Sequence, residues 1–290
     1  EIHHLINSFK TYCKDYLNIK KNKDLEDFKS YTNYFINNYK YFMNIIEKTF
    51  KNNKIIQKIF DKIFSDVFNN NILNKDKHYT AECMAKYIDS LIKETIKNDS
   101  FLDNFEGCKN VFDVLKYVDD KDYFQNYYKK YLMKRLLQNN YNIEVEKYFS
   151  NKLKELYSYE FTIKINTIIN DININEKTVE DYNKVKTSKI KVIPKVVTHS
   201  IWNLPKSKPV GFIPELEHEL NSFEDFYKNK YKGRKLEWNS DLITGEITTH
   251  CFKKKYSFHA NHEQIRILLA FNKQKSYQRE CFEKDAVDIL

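Results

Sequence analysis

The side chains of this chain that could do chemistry are few, and their spacing assembles no catalytic site. His259 and His262 lie three residues apart with Glu263 beside them, which would suit a metal ion only if one helical face carried both imidazoles. The local pattern instead predicts His259 in a strand and His262 at the start of a helix. The aspartates within 119–122 could attract a cation, but acidic residues also favour the first turn of a helix. We therefore expect no catalytic residue, no metal and no cofactor.

Composition narrows the class of protein further. The 290 residues include four glycines and four prolines, too few for a phosphate-binding glycine loop or for a barrel of many short strands. The net charge is +9, but 45 of the 49 basic residues are lysine, whereas arginine is the residue that binds phosphates and bases in bidentate fashion. We attribute the charge to a lysine-rich composition and do not expect a nucleic-acid partner.

The apolar runs and the cysteines indicate whether the chain crosses a membrane and in which redox compartment it folds. The longest apolar runs have four or five residues, so we expect no membrane-spanning helix. The five cysteines are odd in number and include no Cys-x-x-Cys pair, which argues against a disulfide framework and a structural zinc site. These features predict a reducing compartment, the cytoplasm, the nucleus or both.

Proline and glycine divide the chain into two parts. All four prolines and three of the four glycines follow residue 193, so the preceding part predicts a run of helices. Apolar residues spaced three and four apart predict helices at about 2–19, 25–50 and 54–69, and further helices around Ile88 and Tyr128. The later part alternates polar and apolar residues and predicts short strands at 189–197, 235–238, 246–252 and 256–258. Helices are predicted from Pro214, Glu263 and Phe282.

Several motifs of this chain resemble those of the cullin family. Residues 121–137 are similar to the family run KD-x-F-x-x-x-Y-x-x-x-L-A-K-R-L-L, with Met133 in place of the usual alanine. Residues 161–171 resemble FT-x-K-L-x-x-M-x-x-D, and residues 85–93 resemble A-x-Y-x-D-x-L-L-K. The most diagnostic stretch is 213–238, which is similar to LP-x-x-L … F-x-x-FY … GRKL-x-W.

The resemblance extends over residues 80–272, since Gly245-Glu246 and the run 265–272 continue it in the family's order. One departure is Asn203, which follows Trp202 where the family usually has proline. The resemblance implies a mainly α protein, with cullin-repeat helices and a four-helix bundle followed by a small α/β domain and the start of a winged-helix unit. The implied divisions are 1–77 for the last helical repeat of the stalk, 78–187 for the bundle, 188–260 for the α/β region and 261–290 for the incomplete winged helix. We expect a fragment without the family's N-terminal adaptor-binding repeat and without the winged helix that carries the modifiable lysine.

The resemblance also implies a function, that of a non-catalytic scaffold in a cullin-RING ubiquitin ligase. In that family the α/β region accepts a β-strand from a RING-box protein, and the assembly positions a ubiquitin-charged conjugating enzyme. Substrate adaptors bind the N-terminal region that we expect to be missing. The residues implied for the strand interface or its core are Ile190, Val192, Ile193, Leu236, Trp238, Ile247 and Phe258. A basic surface for the conjugating enzyme is implied at Lys228, Lys230, Lys232 and Arg234.

Two alternatives stay open from the sequence. The cullin-like subunit of the anaphase-promoting complex has a related C-terminal region, and the N-terminal sequence would distinguish it. A helical nucleic-acid-binding protein would show binding that weakens steeply with salt. For each implied interface residue, plain packing in a hydrophobic core is the competing interpretation.

Overall fold

The computed structural model describes residues 2–17, 25, 27–70, 78–98, 105–186, 190–205, 211–250 and 253–272, and it is mainly helical, as predicted. The helices are α1 (Ile2–Tyr16), α2 (Phe28–Phe50), α3 (Lys54–Asn69), α4 (Tyr79–Asn98), α5 (Phe105–Leu115), α6 (Lys121–Leu137), α7 (Ile143–Leu156), α8 (Tyr159–Val185), α9 (His199–Trp202), α10 (Pro214–Lys230) and α11 (His262–Ala270). The strands β1 (Thr244–Thr248) and β2 (Ser257–Asn261) form an antiparallel hairpin. The chain divides into two compact units, Glu1–Asn173 and Ile174–Leu290. The four-part division by residue number stays a prediction.

Asparagine and aspartate set many helix boundaries in this glycine-poor chain. Four helices begin at a side-chain oxygen that accepts hydrogen bonds from main-chain N–H groups, which would otherwise lack partners. These caps are Asp27 for α2, Asn53 for α3, Asn142 for α7 and Asn261 for α11. Three of these four caps are asparagines, so asparagine has a defined structural role at the helix starts of this chain.

Asparagine also occupies left-handed backbone positions where glycine is common. Asn52, Asn139 and Asn203 have φ values of 57°, 56° and 43°. Asn203 ends α9, and its N–H donates to the carbonyl of His199 at 3.1 Å. Proline has no N–H and is restricted to φ near −65°, so it could not make this turn. The departure from the resembled family at Asn203 therefore produces a local helix end of its own.

The core of the first unit is built largely from phenylalanine. Phe35 and Phe42 of α2 and Phe60, Phe64 and Phe68 of α3 are fully buried. The Phe35 ring meets the Phe64 ring edge to face, with centroids 5.7 Å apart, an arrangement favoured by the ring quadrupoles. Helix α4 packs on α2 and on α6. The predicted apolar faces of these helices are thus the faces that meet.

The second unit has two small hydrophobic clusters. The first contains Tyr182 of α8 with Phe223 and Tyr227 of α10. The second joins Ile265 of α11 to Ala260 of β2, with Ile213 ahead of α10. Next to Ala260 across the hairpin stands Gly245, where an added Cβ would lie 2.9 Å from Ile265 Cδ1. Glycine at this position therefore allows α11 to pack closely on β1.

Two of the four predicted strands are wrong. The described residues of 189–197, from 190 onward, are irregular, and so are residues 235–238. Their alternation has another cause, since Val196, Leu236 and Trp238 pack against the cluster of Tyr182, Phe223 and Tyr227. The other two predictions are confirmed in part by β1 and β2, which start and end within a few residues of the expected positions. The helix predicted from Phe282 lies outside the described residues.

Candidate partner-binding site

The segment from residue 190 to residue 198 is the central feature of the second unit. It contains no turn or bend after Ile190, and it lies between the end of α8 and the start of α9. Side chains from α8 and its C-terminal end hold it in place. Asn175 Nδ2 donates to the Pro194 carbonyl at 3.0 Å, and Val196 N–H donates to Asn175 Oδ1 at 2.8 Å. Because Asn175 is only 6% exposed, these bonds are shielded from water.

A second contact fixes the beginning of the segment. Lys186 Nζ donates a hydrogen bond to the carbonyl of Ile190 and lies 3.5 Å from Oε2 of Glu219 on α10. The Lys186 and Glu219 side chains are 9% and 6% exposed. A buried charge needs a partner, so Glu219 stabilises the ammonium group that holds Ile190. The segment is thus held at Ile190 by Lys186, just after α8, and at Pro194 and Val196 by Asn175 of α8.

The predicted interface residues of the segment are partly open to solvent. Ile190 and Ile193 are 44% and 55% exposed, and Val192 is half-buried. In the part of the chain that the structure describes, the main-chain groups of Lys191, Val192 and Ile193 make no hydrogen bond. Unpaired N–H and C=O groups along a chain are a template for another strand.

The remaining predicted interface residues fall into two groups. Leu236 and Trp238 pack on the first cluster of the second unit, with the Trp238 ring centroid 6.0 Å from that of Phe223. Ile247 and Phe258 are paired across the hairpin, but Ile247 packs on the second cluster while Phe258 is 45% exposed. The exposed member can contact a partner directly, and the half-buried ones can shape the surface beneath it.

The predicted basic surface is less positive than its sequence suggests. Lys228 lies 2.7 Å from the carboxylate of Glu224, and Lys230 lies 2.7 Å from that of Asp181. These hydrogen bonds raise the pKa of both lysines. Arg234 stacks on the ring of Tyr231, with 4.9 Å between the guanidinium carbon and the ring centroid.

Lys232 is the member of this basic surface with the most open environment. Its side chain is exposed and forms no ion pair with any residue that the structure describes. Gly233 follows it with φ of 84°, a left-handed turn that other residues adopt at a cost. The glycine of the diagnostic motif thus makes the turn between Lys232 and Arg234.

The histidines and aspartates considered for a metal site occupy different structural elements and have different partners. His259 is in β2 and exposed, and His262 starts α11, as predicted. His262 is buried, and burial with the nearby Arg266 lowers its pKa. Asp120 precedes α6 and binds His78, with 2.9 Å between Oδ2 and Nδ1.

A cavity of about 260 Å³ adjoins this aspartate cluster, and Asp66 and Asp119 are among its lining residues. Among the described residues, however, no group of three or more His, Cys, Asp or Glu side chains is arranged to hold a metal ion. Nor does any described helix have the length and apolar character needed to cross a membrane.

Sequence reasoning missed a buried ion network in the first unit. Arg135 of α6 is fully buried and donates from Nε and Nη2 to the two carboxylate oxygens of Glu146 on α7, at 2.7 and 2.8 Å. Its Nη1 donates to Asp89 of α4. Arg135 and Asp89 belong to two different family-like motifs, which therefore meet here. The available clue was position, since Arg135 falls on the same helical face as Tyr128 and Leu132.

Comparison with known proteins supports the resemblance. Residues 1–179 match the family described as the cullin alpha solenoid domain, and residues 196–285 match the cullin alpha+beta domain. The chain is 29% identical over 266 residues to Cullin-1 of Caenorhabditis elegans, which covers 88% of this chain and 34% of that protein. It is 29% identical over 268 residues to Cullin-1 of Schizosaccharomyces pombe, covering 89% of this chain and 35% of that protein. Cullin-1 of Dictyostelium discoideum is 30% identical over 220 residues, 72% of this chain and 29% of that protein.

Each match covers most of this chain but a much smaller share of the relative. The chain spans about a third of the length of the curated relatives that it matches. The two family matches cover the helical unit and the second unit from residue 196 onward.

Proposed function

Because this chain belongs to the cullin family, we propose that it is the part of a ubiquitin-ligase scaffold that binds a RING-box protein by strand addition. In this mode of recognition an extended segment of one protein joins the sheet of another, and main-chain hydrogen bonds provide the affinity. The chain itself would act without catalysing transfer, by holding other subunits at fixed positions. Fixed positions matter because the effective concentration of reacting groups depends on geometry.

The observation that carries this proposal is the run from Lys191 to Ile193, whose main-chain groups make no hydrogen bond among the described residues. The hairpin of β1 and β2 is supported by α11, which packs on it, so the hairpin itself does not require a further strand. The segment that contains this run is held by Asn175 and Lys186, and no strand pairs with it among the described residues. A partner strand would supply the missing main-chain bonds.

Coexpression with a RING-box protein tests this proposal. We expect a complex that survives affinity and size-exclusion chromatography. Changing Ile193, which is 55% exposed, to aspartate should remove most of the complex. The matched control is Ile55→Asp, since Ile55 is a 62% exposed isoleucine on α3 of the other unit. If the folded parent chain forms no complex, or if both variants behave alike, the strand-addition proposal is wrong.

We further propose that the basic surface steers a conjugating enzyme with an acidic segment. Clustered charge raises the rate of association and makes it depend on salt. Since Lys228 and Lys230 are already paired with carboxylates, Lys232 should contribute more to the long-range attraction. Reversal at Lys232 should therefore slow ubiquitin transfer more than reversal at Lys228. Reversing all four residues, with Lys230 and Arg234 included, should flatten the salt dependence, and an unchanged salt dependence would exclude this role.

A further inference from the structure

We infer that the partner strand pairs with one particular edge of the segment, the edge that carries the main-chain groups of Lys191 and Ile193. This inference rests on the proposed strand addition and assigns its geometry. In a strand, the N–H and C=O of one residue point to the same edge, and those of the next residue point to the opposite edge. The three bonds that hold the segment, at Ile190, Pro194 and Val196, follow this alternation. Even-numbered residues of the segment therefore face one edge and odd-numbered residues face the other.

The even-numbered edge is already occupied by polar groups of this chain. Lys186 Nζ bonds to the Ile190 carbonyl, and the side-chain amide of Asn175 bonds to the Pro194 carbonyl and the Val196 N–H. The amide of Asn175 thus supplies one donor and one acceptor, as a neighbouring strand would. The three contacts agree in parity, which places α8 along this edge.

Proline makes the two edges unequal as well. Pro194 has no N–H, so a strand along the even-numbered edge would lose a hydrogen bond there. The Asn175 side chain does not need the missing N–H, because it bonds only to the carbonyl of Pro194 and the N–H of Val196. On the opposite edge, Lys191 and Ile193 each offer an N–H and a C=O, and none of these groups is bonded among the described residues.

Charge indicates the chemistry of the partner strand. Residues 182–213 contain seven lysines and no acidic residue, and Lys191 is exposed on the pairing segment. Like charges directly opposite each other destabilise paired strands, and opposite charges stabilise them. We therefore expect an extended partner segment that presents an acidic side chain opposite Lys191 and an apolar one opposite Ile193.

Residue-resolved amide hydrogen exchange, measured by NMR on the free chain and on its complex with a RING-box protein, tests the edge. In the complex, the amides of Lys191 and Ile193 should slow by about 100-fold or more, while the amide of Val192 slows far less. Protection of Val192 without Lys191 and Ile193 would overturn the assigned edge. A stable complex with no protection of either set would overturn strand pairing at this segment and leave RING-box binding intact. Failure to form any complex would overturn both proposals.

Variants of Asn175 test its role as a positioning residue. Asn175→Ala removes both bonds to the segment, so the segment must be ordered during binding, and the association rate constant should fall several-fold. Asn175→Asp keeps the acceptor for Val196 N–H, so its association rate constant should lie between those of the parent chain and Asn175→Ala. The control is Asn183→Ala, at an exposed asparagine of the same helix. An unchanged association rate with faster dissociation would show that Asn175 does not preorganise the segment.

Discussion

The two units of this chain differ in how completely they satisfy the buried polar atoms of their basic side chains. In the first unit, the guanidinium of Arg135 is bonded to the carboxylates of Glu146 and Asp89, all within the chain. In the second unit, Lys186 likewise lies beside Glu219, but Arg266 Nη1 and Nε2 of His262, an imidazole whose pKa is lowered by burial, are buried without a hydrogen-bond partner. Buried polar groups of the first unit that lack a partner, among the described residues, are neutral hydroxyls and an amide.

This difference shows which unit satisfies the buried polar atoms of its basic side chains within the chain. An unpaired buried polar group costs free energy, and a charged one costs more. In the second unit, the main-chain groups of Lys191, Val192 and Ile193 also lack a partner among the described residues. The first unit thus pairs its buried arginine within the chain, whereas Arg266 Nη1 and the main-chain groups of Lys191 to Ile193 have no hydrogen-bond partner among the described residues of the second unit.

The largest expected effect tests the self-sufficiency of the first unit. Glu146→Gln leaves the buried Arg135 with less negative charge around it, and breaking such a pair should lower the free energy of unfolding by about 3 kcal/mol. Urea unfolding followed by circular dichroism would measure the loss. The matched control is Glu155→Gln on the same helix, where the exposed pair with Lys152 should contribute less than about 1 kcal/mol. Equal effects of the two substitutions would contradict the importance of the buried network.

The next effect concerns the core of the second unit. Trp238→Ala removes a ring that packs on Phe223, and we expect it to lower the free energy of unfolding by about 2 kcal/mol. Trp238→Phe retains most of the packing and removes the indole N–H, which is buried without an acceptor. The phenylalanine variant should therefore be close to the parent in thermal unfolding. A loss as large as that of the alanine variant would mean that the indole N–H has a partner after all.

Replacing Phe258, in contrast to Trp238, should affect partner binding more than the stability of the free chain. Its side chain is 45% exposed, so Phe258→Ala should change the free energy of unfolding by no more than about 0.5 kcal/mol. If the proposed partner covers it, the dissociation constant of the complex should rise about tenfold, as for a typical contact residue at an interface. Calorimetric titration with a RING-box protein measures this. Strong destabilisation of the free chain with unchanged affinity would place Phe258 in the core and outside the interface.

The sequence predicted the helical unit better than the second unit, and the reason is physical. Helices α2 and α3 make their hydrogen bonds locally, so apolar spacing alone predicted their positions within a few residues. The irregular segment 235–238 shows the limit of this reasoning, because alternation reports which side chains are buried and not what pairs with the main chain. Leu236 and Trp238 alternate because they pack on helices.

The contacts of the candidate site were even less accessible to sequence reasoning. Asn175 has no feature in the sequence that separates it from the many other asparagines. Its two bonds to the segment appear only when α8 and residues 194–196 come together in space. The buried network likewise depends on three helices, although Arg135, one of only four arginines, stands on an apolar helix face. Long-range polar contacts of this kind have no periodic pattern.

The smallest expected effect compares the acid sensitivity of the two units through one aspartate in each. A hydrogen bond from the Ser30 side chain lowers the pKa of Asp27, and one from Lys230 lowers the pKa of Asp181, below the ordinary value of 3.8. In both cases the unfolded chain takes up a proton first, so the stabilisation is full above the ordinary pKa and is lost as the pH falls through the lowered one.

Asparagine variants at these two aspartates isolate that contribution. Relative to the parent, Asp27→Asn and Asp181→Asn should each lower the unfolding temperature slightly at neutral pH, and the difference should vanish in acid. Salt distinguishes the units, because Asp181 acts on Lys184 and Lys230 through exposed ion pairs, whereas Asp27 accepts hydrogen bonds at the start of α2. High salt should therefore reduce the effect of Asp181→Asn more than that of Asp27→Asn. Equal salt sensitivity would indicate that both carboxylates act mainly through their charge.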